Sequence, residues 1–173
     1  MIVALMGYMG SGKSTIGKEL ATVLNYKFLD LDSVISDAEK SSISDLFKKK
    51  GEIYFRKKEA FYLNEILKSE NHVVLALGGG TPCYGNNLQL LLKQSKVSTF
   101  YLKLSLPLLS SRLFKEKNDR PLISHIDSEE ALTEFIGKHL FERSQYYSQA
   151  KHIIDIDGKS QQDILEAILM YLI

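Results

Sequence analysis

Short runs of continuously apolar residues alternate along the chain with segments whose apolar residues recur every three to four positions. An apolar run without polar alternation is typical of a strand buried on both faces of a parallel sheet, and the wider spacing is typical of a helix with one apolar face. The runs predict strands at residues 2–6, 27–30, 72–77, 98–102 and 152–156. The spaced segments predict helices at 14–24, 53–67, 88–92, 106–114, 131–147 and 161–170.

Five strands interleaved with helices predict an α/β fold, a three-layer sandwich in which helices cover both faces of a five-stranded parallel sheet. Right-handed crossovers then bring every strand-to-helix loop to the same edge of the sheet. Ser42, Ser105, Ser128 and Ser160 are placed to cap helix N-termini. No repeat, low-complexity tract or linker divides the chain, so residues 1–173 are predicted to form a single domain.

Composition and charge narrow the class of protein. Charged residues make up 25% of the chain and hydrophobic residues 45%, as in an ordinary soluble globular protein. The formal net charge of +1 gives no broad attraction for nucleic acid or for an acidic membrane. No apolar run approaches the roughly 18 residues of a membrane span, and no signal peptide is recognisable. We therefore expect a cytoplasmic monomer without nucleic-acid or membrane partners.

The first predicted strand runs directly into GYMGSGKST, residues 7–15, which fits the phosphate-binding P-loop pattern G-x-x-x-x-G-K-[ST]. Glycines allow consecutive N–H groups to converge on an anion, and a helix beginning near Lys13 adds the positive end of its dipole. Lys13 can then reach the outer phosphates of a nucleotide, and the Ser14 hydroxyl can bind Mg²⁺. A glycine-rich structural turn is the alternative, but the flanking strand and helix favour nucleotide binding. The predicted nucleotide contacts are Gly10, Ser11, Gly12, Lys13, Ser14 and Thr15.

Two carboxylates, Asp30 and Asp32, end the second predicted strand. Ligands of an open parallel sheet bind at the carboxyl ends of its strands. Carboxylates there can hold Mg²⁺, directly or through water, or accept a hydrogen bond from a substrate hydroxyl. Alternation along an extended segment predicts that both side chains point the same way. They can also simply end the strand or cap the next helix, but their position one crossover after the P-loop favours the functional interpretation.

Further candidate site residues are a run of glycines and two arginines. The run GGG at 78–80 follows the third strand, where a ligand can approach the backbone closely, although a tight structural turn is the alternative. Arg56 lies three residues before Glu59, so the two share a helix face and can form an ion pair. Arg143 lies near the end of a late helix. Taken singly, each arginine is better explained as an ordinary surface residue than as a ligand.

The polar stretch KEKNDRPLISHIDSEE, residues 115–130, holds few candidate core residues and is interpreted as a mobile surface excursion. A solvated loop is the ordinary explanation of such a charge run. A protein that transfers phosphoryl groups must exclude water, however, and lids do this. Arg120 is therefore a candidate for contact with the transferring phosphates.

The single cysteine and the histidines predict no separate site. Cys83 cannot form an internal disulfide, and we interpret it as a small structural residue, with a reactive thiol as the alternative. The four histidines lack the spacing of metal ligands.

In their order along the chain, GYMGSGKST, FLDLDSVI, GEIYFRKKE, LGGGTP, RPLI and ERSQYY resemble the motifs of the shikimate kinase family, a P-loop group related to nucleoside monophosphate kinases. Very many nucleotide-binding proteins share the P-loop, whereas D-x-D, F-R-x-x-E, GGG and R-P-L in this order are specific. The resemblance implies transfer of the γ-phosphoryl group of ATP to the 3-hydroxyl of shikimate, with Mg²⁺, in the biosynthesis of aromatic amino acids through chorismate.

On the acceptor side, the resemblance implies that Asp32 contacts the shikimate hydroxyls and is a candidate base. It implies that Arg56 and Arg143 hold the shikimate carboxylate and that Glu59 orients Arg56. The substrate-binding region is expected at about residues 32–62. The backbone expected to meet shikimate is that of Gly78, Gly79 and Gly80.

On the donor side, the resemblance implies that Asp30 belongs to the Mg²⁺ environment together with Ser14, through water. Arg112 aligns with an arginine that packs on adenine. Arg120, in a lid at about residues 115–124, approaches the phosphates and the substrate and joins Lys13 in supplying positive charge.

Two alternative functions stay open. A gluconate-type kinase of the same group lacks the F-R-x-x-E and GGG pair in this order. A non-catalytic nucleotide-binding module that regulates a partner would be expected to lose Lys13, Asp32 or Arg120, and this chain retains all three.

Overall fold

The core is a five-stranded, fully parallel sheet with the strand order β2-β3-β1-β4-β5. This computed structural model describes all 173 residues. Every residue of β1 is buried, which requires cover on both faces of the sheet and confirms the predicted three-layer α/β sandwich. The strands are β1 (Ile2–Met6), β2 (Lys27–Asp30), β3 (Val73–Ala76), β4 (Val97–Lys103) and β5 (His152–Asp155).

Seven helices cover the sheet, and two short 3₁₀ turns, at Thr81–Cys83 and Lys117–Asp119, complete the regular structure. None of the helices combines the length and the apolar character needed to cross a bilayer. The helices are α1 (Lys13–Leu24), α2 (Leu31–Glu39), α3 (Ile43–Ser69), α4 (Asn87–Lys93), α5 (Leu106–Glu116), α6 (Glu129–Tyr147) and α7 (Gln161–Leu169).

The region between β2 and β3 differs from the sequence prediction. The chain turns into α2 at Leu31, directly after β2, where an extended segment was predicted; the buried residues Leu31 and Ile35 lie one turn apart. The helix predicted at 53–67 begins at Ile43, and Gly51, with φ 82°, interrupts it so that two helical segments meet there. Each of these short segments carries only a few apolar residues, which is why their spacing did not reveal them.

Three of the four predicted caps form. Ser42 and Ser128 accept hydrogen bonds from the backbone three residues later, and Ser160 forms a reciprocal capping box with Asp163. Ser105 occupies the N-cap position of α5, but its side chain makes no capping hydrogen bond. Pro107 stands two residues later and lacks one of the N–H groups that an N-cap side chain uses.

The polar segment 115–130 is attached to the body of the protein more firmly than its composition indicates. Ile123 and Ile126 are both buried and belong to the main hydrophobic cluster. The Lys117 ammonium donates a 2.8 Å hydrogen bond to the backbone carbonyl of Ile126. The segment holds few core residues, as its composition predicts, but these two isoleucines anchor it to the main hydrophobic cluster.

Candidate active site

The P-loop joins β1 to α1 at the centre of the carboxyl edge of the sheet. Gly12, the last residue before α1, has φ 89°, in the left-handed region that glycine enters without strain. The turn places Lys13 at the first position of the helix, as the sequence predicts. The backbone N–H groups of this helix terminus therefore open toward the strand edge, where an anion can bind.

Lys13 closes back over the loop that precedes it. Its ammonium donates hydrogen bonds of 2.8 Å to the Gly7 carbonyl and 3.0 Å to the Tyr8 carbonyl. Burial lowers the pKa of Lys13 to about 8, and the nearby carboxylates of Asp32 and Asp30 oppose that shift. A polyanion bound here would stabilise the charged form of the lysine further.

Asp30 connects the P-loop helix with α2. The Ser14 hydroxyl donates a 2.8 Å hydrogen bond to Asp30 Oδ2, and Asp30 Oδ1 caps α2 by accepting from the backbone N–H groups of Asp32 and Ser33. Asp30 is thus both a helix cap and a neighbour of the P-loop. The two oxygen-bearing side chains suit Mg²⁺, which takes a few protein oxygens and completes its shell with phosphates and water. No group of three or more histidine, cysteine or acidic residues forms a self-sufficient metal site.

Asp32 lines the same cavity as Asp30, but from a different secondary-structure element than the one predicted from the sequence. It lies in the first turn of α2 and not on an extended strand, so the argument from strand alternation was wrong. Both carboxylates nevertheless line one cavity, because the helix turns at the strand end. Burial raises the pKa of Asp32 to about 6, with further contributions from the negative charges of Asp30 and Glu59.

Two cavities adjoin at this edge. The P-loop cavity, of about 500 Å³, is lined by the P-loop from Met9 to Ile16, by the two aspartates and by Arg112. The arginine cavity, of about 330 Å³, is lined among others by Arg56, Glu59 and Arg143. The residues that line both cavities, and so form the junction between them, are Met9, Asp32, Gly78, Gly79 and Arg120.

Arg56 is held from behind by a buried carboxylate. Arg56 Nη1 donates a 2.8 Å hydrogen bond to Glu59 Oε2, and the Glu59 side chain is only 1% exposed. The Thr81 hydroxyl donates a 2.7 Å hydrogen bond to the other oxygen, Glu59 Oε1. Gly80 passes so close that a Cβ atom there would lie 2.7 Å from Arg56 Nη2, so this position accepts only glycine without a shift of the arginine. The ion pair predicted from the sequence is confirmed.

The remaining arginines approach from three helical regions. Arg143, on α6, lines the arginine cavity, and its guanidinium carbon lies 5.7 Å from the centre of the Tyr8 ring. Arg120 forms a 2.7 Å ion pair with Glu116 and lies at the junction. Arg112 donates a 2.8 Å hydrogen bond to the Gly10 carbonyl in the P-loop. All the site residues predicted from the sequence therefore meet at one edge of the sheet.

The family model "Shikimate kinase" matches residues 9–172. The chain belongs to the shikimate kinase family. A shikimate kinase from Flavobacterium johnsoniae is 45% identical over 96% of each chain. The crystal structure of the shikimate kinase from Bacteroides thetaiotaomicron superposes with a TM-score of 0.91 at 31% identity, covering 99% of this chain and 98% of that one. The shikimate kinase from Acinetobacter baumannii, solved in complex with shikimate, gives a TM-score of 0.85 at 32% identity, covering 99% and 92%.

Two contacts in this member of the shikimate kinase family were missed by sequence reasoning. Tyr147 is fully buried and donates a 2.5 Å hydrogen bond to the Gly79 carbonyl, which ties α6 to the glycine run. It stands four residues after Arg143, on the same helix face, and that spacing is a signal that could have found it. The Thr81 hydrogen bond to Glu59 had no such signal, because it joins two segments 22 residues apart.

Proposed function

We propose that this protein transfers the γ-phosphoryl group of ATP to the 3-hydroxyl of shikimate, giving ADP and shikimate 3-phosphate. The observation that carries the proposal is the pair of adjoining cavities: one has a P-loop, the other has two arginines, and Asp32 and Arg120 lie at the junction. Membership of the shikimate kinase family supports the choice of acceptor. The gluconate-type alternative is not favoured, because the relatives that match over nearly the full chain are shikimate kinases.

ATP is the donor, and its phosphates bind in the P-loop cavity. The N-terminus of α1 and the Lys13 ammonium face the phosphates, and Arg120 approaches from segment 115–130. The loose transition state of phosphoryl transfer is stabilised chiefly by positioning and by positive charge. The Ser14 hydroxyl and Asp30 would hold Mg²⁺, which would supply positive charge to the phosphates. Arg112, at the cavity wall, packs on the adenine.

Shikimate binds in the arginine cavity, with its carboxylate on Arg56 and Arg143. Arginine suits a carboxylate because its planar guanidinium can donate two parallel hydrogen bonds. Glu59 fixes Arg56 from behind, and the backbone of 78–80 forms the adjacent wall. Fixing the carboxylate at one end of the molecule directs the ring hydroxyls toward Asp32 at the junction.

Asp32 accepts the proton of the attacking hydroxyl. As that oxygen bonds to the γ-phosphorus, the bond between this phosphorus and the β–γ bridging oxygen breaks, and ADP leaves. The pKa of Asp32 is raised to about 6, which makes this residue a stronger base than an ordinary aspartate. Because this value is still below 7, Asp32 is mostly ionised at neutral pH. Segment 115–124 acts as the lid that excludes water and carries Arg120. The cytoplasmic, monomeric state expected from the sequence stays a prediction.

The proposal is tested by coupled measurement of ADP release from Mg-ATP with shikimate, gluconate and nucleoside monophosphates as acceptors. Shikimate is expected to stimulate ADP release strongly, and the others are expected to give only the rate without acceptor. The product is identified as shikimate 3-phosphate by ³¹P NMR. Turnover of gluconate but not of shikimate would overturn the assignment. ATP binding without any stimulated release would favour the regulatory module.

A further inference from the structure

One face of the Arg56 guanidinium is covered by an aromatic ring that takes no part in either cavity. The guanidinium carbon lies 3.8 Å from the centre of the Tyr84 ring, which is a direct stack of a cation on an aromatic face. Tyr84 ends the 3₁₀ turn Thr81–Cys83 that follows the glycine run, and 37% of it is exposed. It does not line the P-loop cavity or the arginine cavity. Tyr84 is therefore linked to the arginine cavity by its contact with Arg56.

The surroundings of Arg56 show what this ring adds. The ion pair with Glu59 fixes one nitrogen, Nη1, and Arg56 Nε is buried without a hydrogen bond, with its nearest acidic neighbour, Glu52, at 3.5 Å. Two further rings, Phe55 and Phe47, stand farther off, at 5.1 and 5.9 Å from the guanidinium carbon. The Glu59 and Glu52 carboxylates therefore contact the guanidinium at Nη1 and Nε. The Tyr84 ring adds a contact against the face of the group, which limits its rotation.

Covering the guanidinium also removes water from it. The Arg56 side chain is only 18% exposed although it ends at a cavity. A charge that is shielded from solvent on one face interacts more strongly with an anion that approaches from the open side. Burial of the Tyr84 side chain, together with a hydrogen bond to Glu52, raises the pKa of its phenol, so the ring stays neutral.

We infer that Tyr84 is a positioning residue for acceptor recognition: its ring clamps the Arg56 guanidinium against Glu59 in the orientation that receives a carboxylate. This inference rests on the proposed function, since it assigns Arg56 to the carboxylate of the acceptor. It goes beyond that function in naming a residue outside the cavity on which acceptor affinity depends. The aromatic face carries the effect, so a ring without the phenolic hydroxyl should retain it.

Steady-state kinetics and calorimetric titration of shikimate on Tyr84→Ala and Tyr84→Phe test the inference. Tyr84→Ala is expected to raise the KM and Kd for shikimate by about threefold to thirtyfold, the range of a partly desolvated cation–aromatic contact, with kcat and the KM for ATP unchanged. Tyr84→Phe, which keeps the ring, should match the wild type. Phe61→Ala, which removes a half-exposed ring on α3, is the matched control and should have no effect.

Two further measurements separate positioning from a general structural role. In the double variant Arg56→Ala with Tyr84→Ala, the loss of shikimate affinity should equal that of Arg56→Ala alone, because Tyr84 acts only through the arginine. Shikimate methyl ester, which lacks the carboxylate charge, should bind equally to the wild type and to Tyr84→Ala. Additive losses, or equal losses of ATP and shikimate affinity, would overturn the inference.

The outcome for the wild type keeps the two proposals apart. If the wild type does not phosphorylate shikimate, the proposed function fails. If the wild type turns shikimate over and Tyr84→Ala has the same shikimate KM, the function stands and the role of Tyr84 is refuted. Tyr84→Leu, which fills the space of the ring without its electrons, serves as a second variant and should behave as Tyr84→Ala does.

Discussion

The P-loop and the arginine cavity lie side by side, yet they are built in different ways. The P-loop is nine consecutive residues, 7–15, whose conformation depends on glycine and whose lysine bonds to carbonyls five and six positions earlier. The arginine cavity takes its polar groups from α2, α3, the loop after β3, segment 115–130 and α6, between Asp32 and Arg143. The P-loop is formed by residues adjacent in sequence. The arginine cavity forms only when folding brings distant segments to the same edge of the sheet.

The proposed function gives the two sites different roles. The P-loop offers backbone groups and a charge that suit any polyphosphate, and in the proposed function it binds the donor. The arginine cavity offers ion-paired side chains at fixed positions, and in the proposed function it selects the acceptor. Changes in the first should therefore act on kcat, and changes in the second should act on the KM for the acceptor.

The largest effect is expected from Lys13→Ala. Removing one charge from the transition state of phosphoryl transfer typically lowers the rate by about 10²- to 10³-fold, so kcat should fall by at least about 100-fold. The Kd for shikimate, measured by calorimetry, should stay within about twofold of the wild type. Lys18→Ala, on the exposed face of the same helix, is the control and should leave kcat unchanged. A loss of shikimate affinity with kcat intact would show that the two sites are not separate.

Arg56→Ala should have the next largest effect. It removes one hydrogen-bonded charge and leaves Glu59 buried without its partner, a change that costs about 2–5 kcal/mol in comparable sites. The KM for shikimate should rise at least about 30-fold in steady-state assays, while the KM for ATP stays constant. The exposed neighbour Lys57→Ala provides the control. A parallel rise in both KM values would contradict the division between the sites.

A smaller effect is expected from Thr81→Val, which keeps the shape of a buried side chain and removes the hydroxyl that donates to Glu59. An unsatisfied buried acceptor costs about 1–3 kcal/mol, part of it in stability and part in the orientation of Arg56. We expect the KM for shikimate to rise about fivefold at nearly constant kcat. Thr81→Ser retains the hydroxyl and should restore the wild-type value. Equal KM values for the two variants would exclude this role of the hydroxyl.

The smallest predicted signal is the titration of Asp32. Because burial and two carboxylates disfavour its charge, its pKa is raised from 3.8 to about 6. The ionised form that accepts a proton is therefore present above about pH 6 and lost as the pH falls through that value. Carboxyl ¹³C NMR of the free protein, assigned by the signal missing in Asp32→Asn, should give a midpoint near 6. A midpoint near 3.8 would mean that the site does not tune this carboxylate.

The same difference explains what could be predicted from the sequence. Continuous apolar runs gave the strands and the parallel sheet, and the spacing of GYMGSGKST gave the P-loop, because both depend on neighbours in the chain. Arg56 with Glu59 could be predicted because both lie on one helix face. The Thr81 and Tyr84 contacts of these residues depend on how α3 packs against the loop after β3, for which the spacing of residues carries no information.

The two aspartates show an intermediate case. Their place at the strand edge was predicted correctly from position, but the reason was wrong, since Asp32 turns inward on α2 and not along a strand. Residues 31–39 carry too few apolar positions for their helical spacing to stand out, so Asp32 was placed on an extended segment. Segment 115–130 is mostly polar, yet its two buried isoleucines, Ile123 and Ile126, attach it to the hydrophobic core.

A crystal structure of the protein with ADP and shikimate tests the central claim most directly. We predict that the shikimate carboxylate lies at hydrogen-bond distance, about 3 Å, from both Arg56 and Arg143, and that a ring hydroxyl contacts Asp32 on the side facing the P-loop. Shikimate bound with its carboxylate away from both arginines, or with no hydroxyl near Asp32, would contradict the assignment of the arginine cavity as the acceptor site.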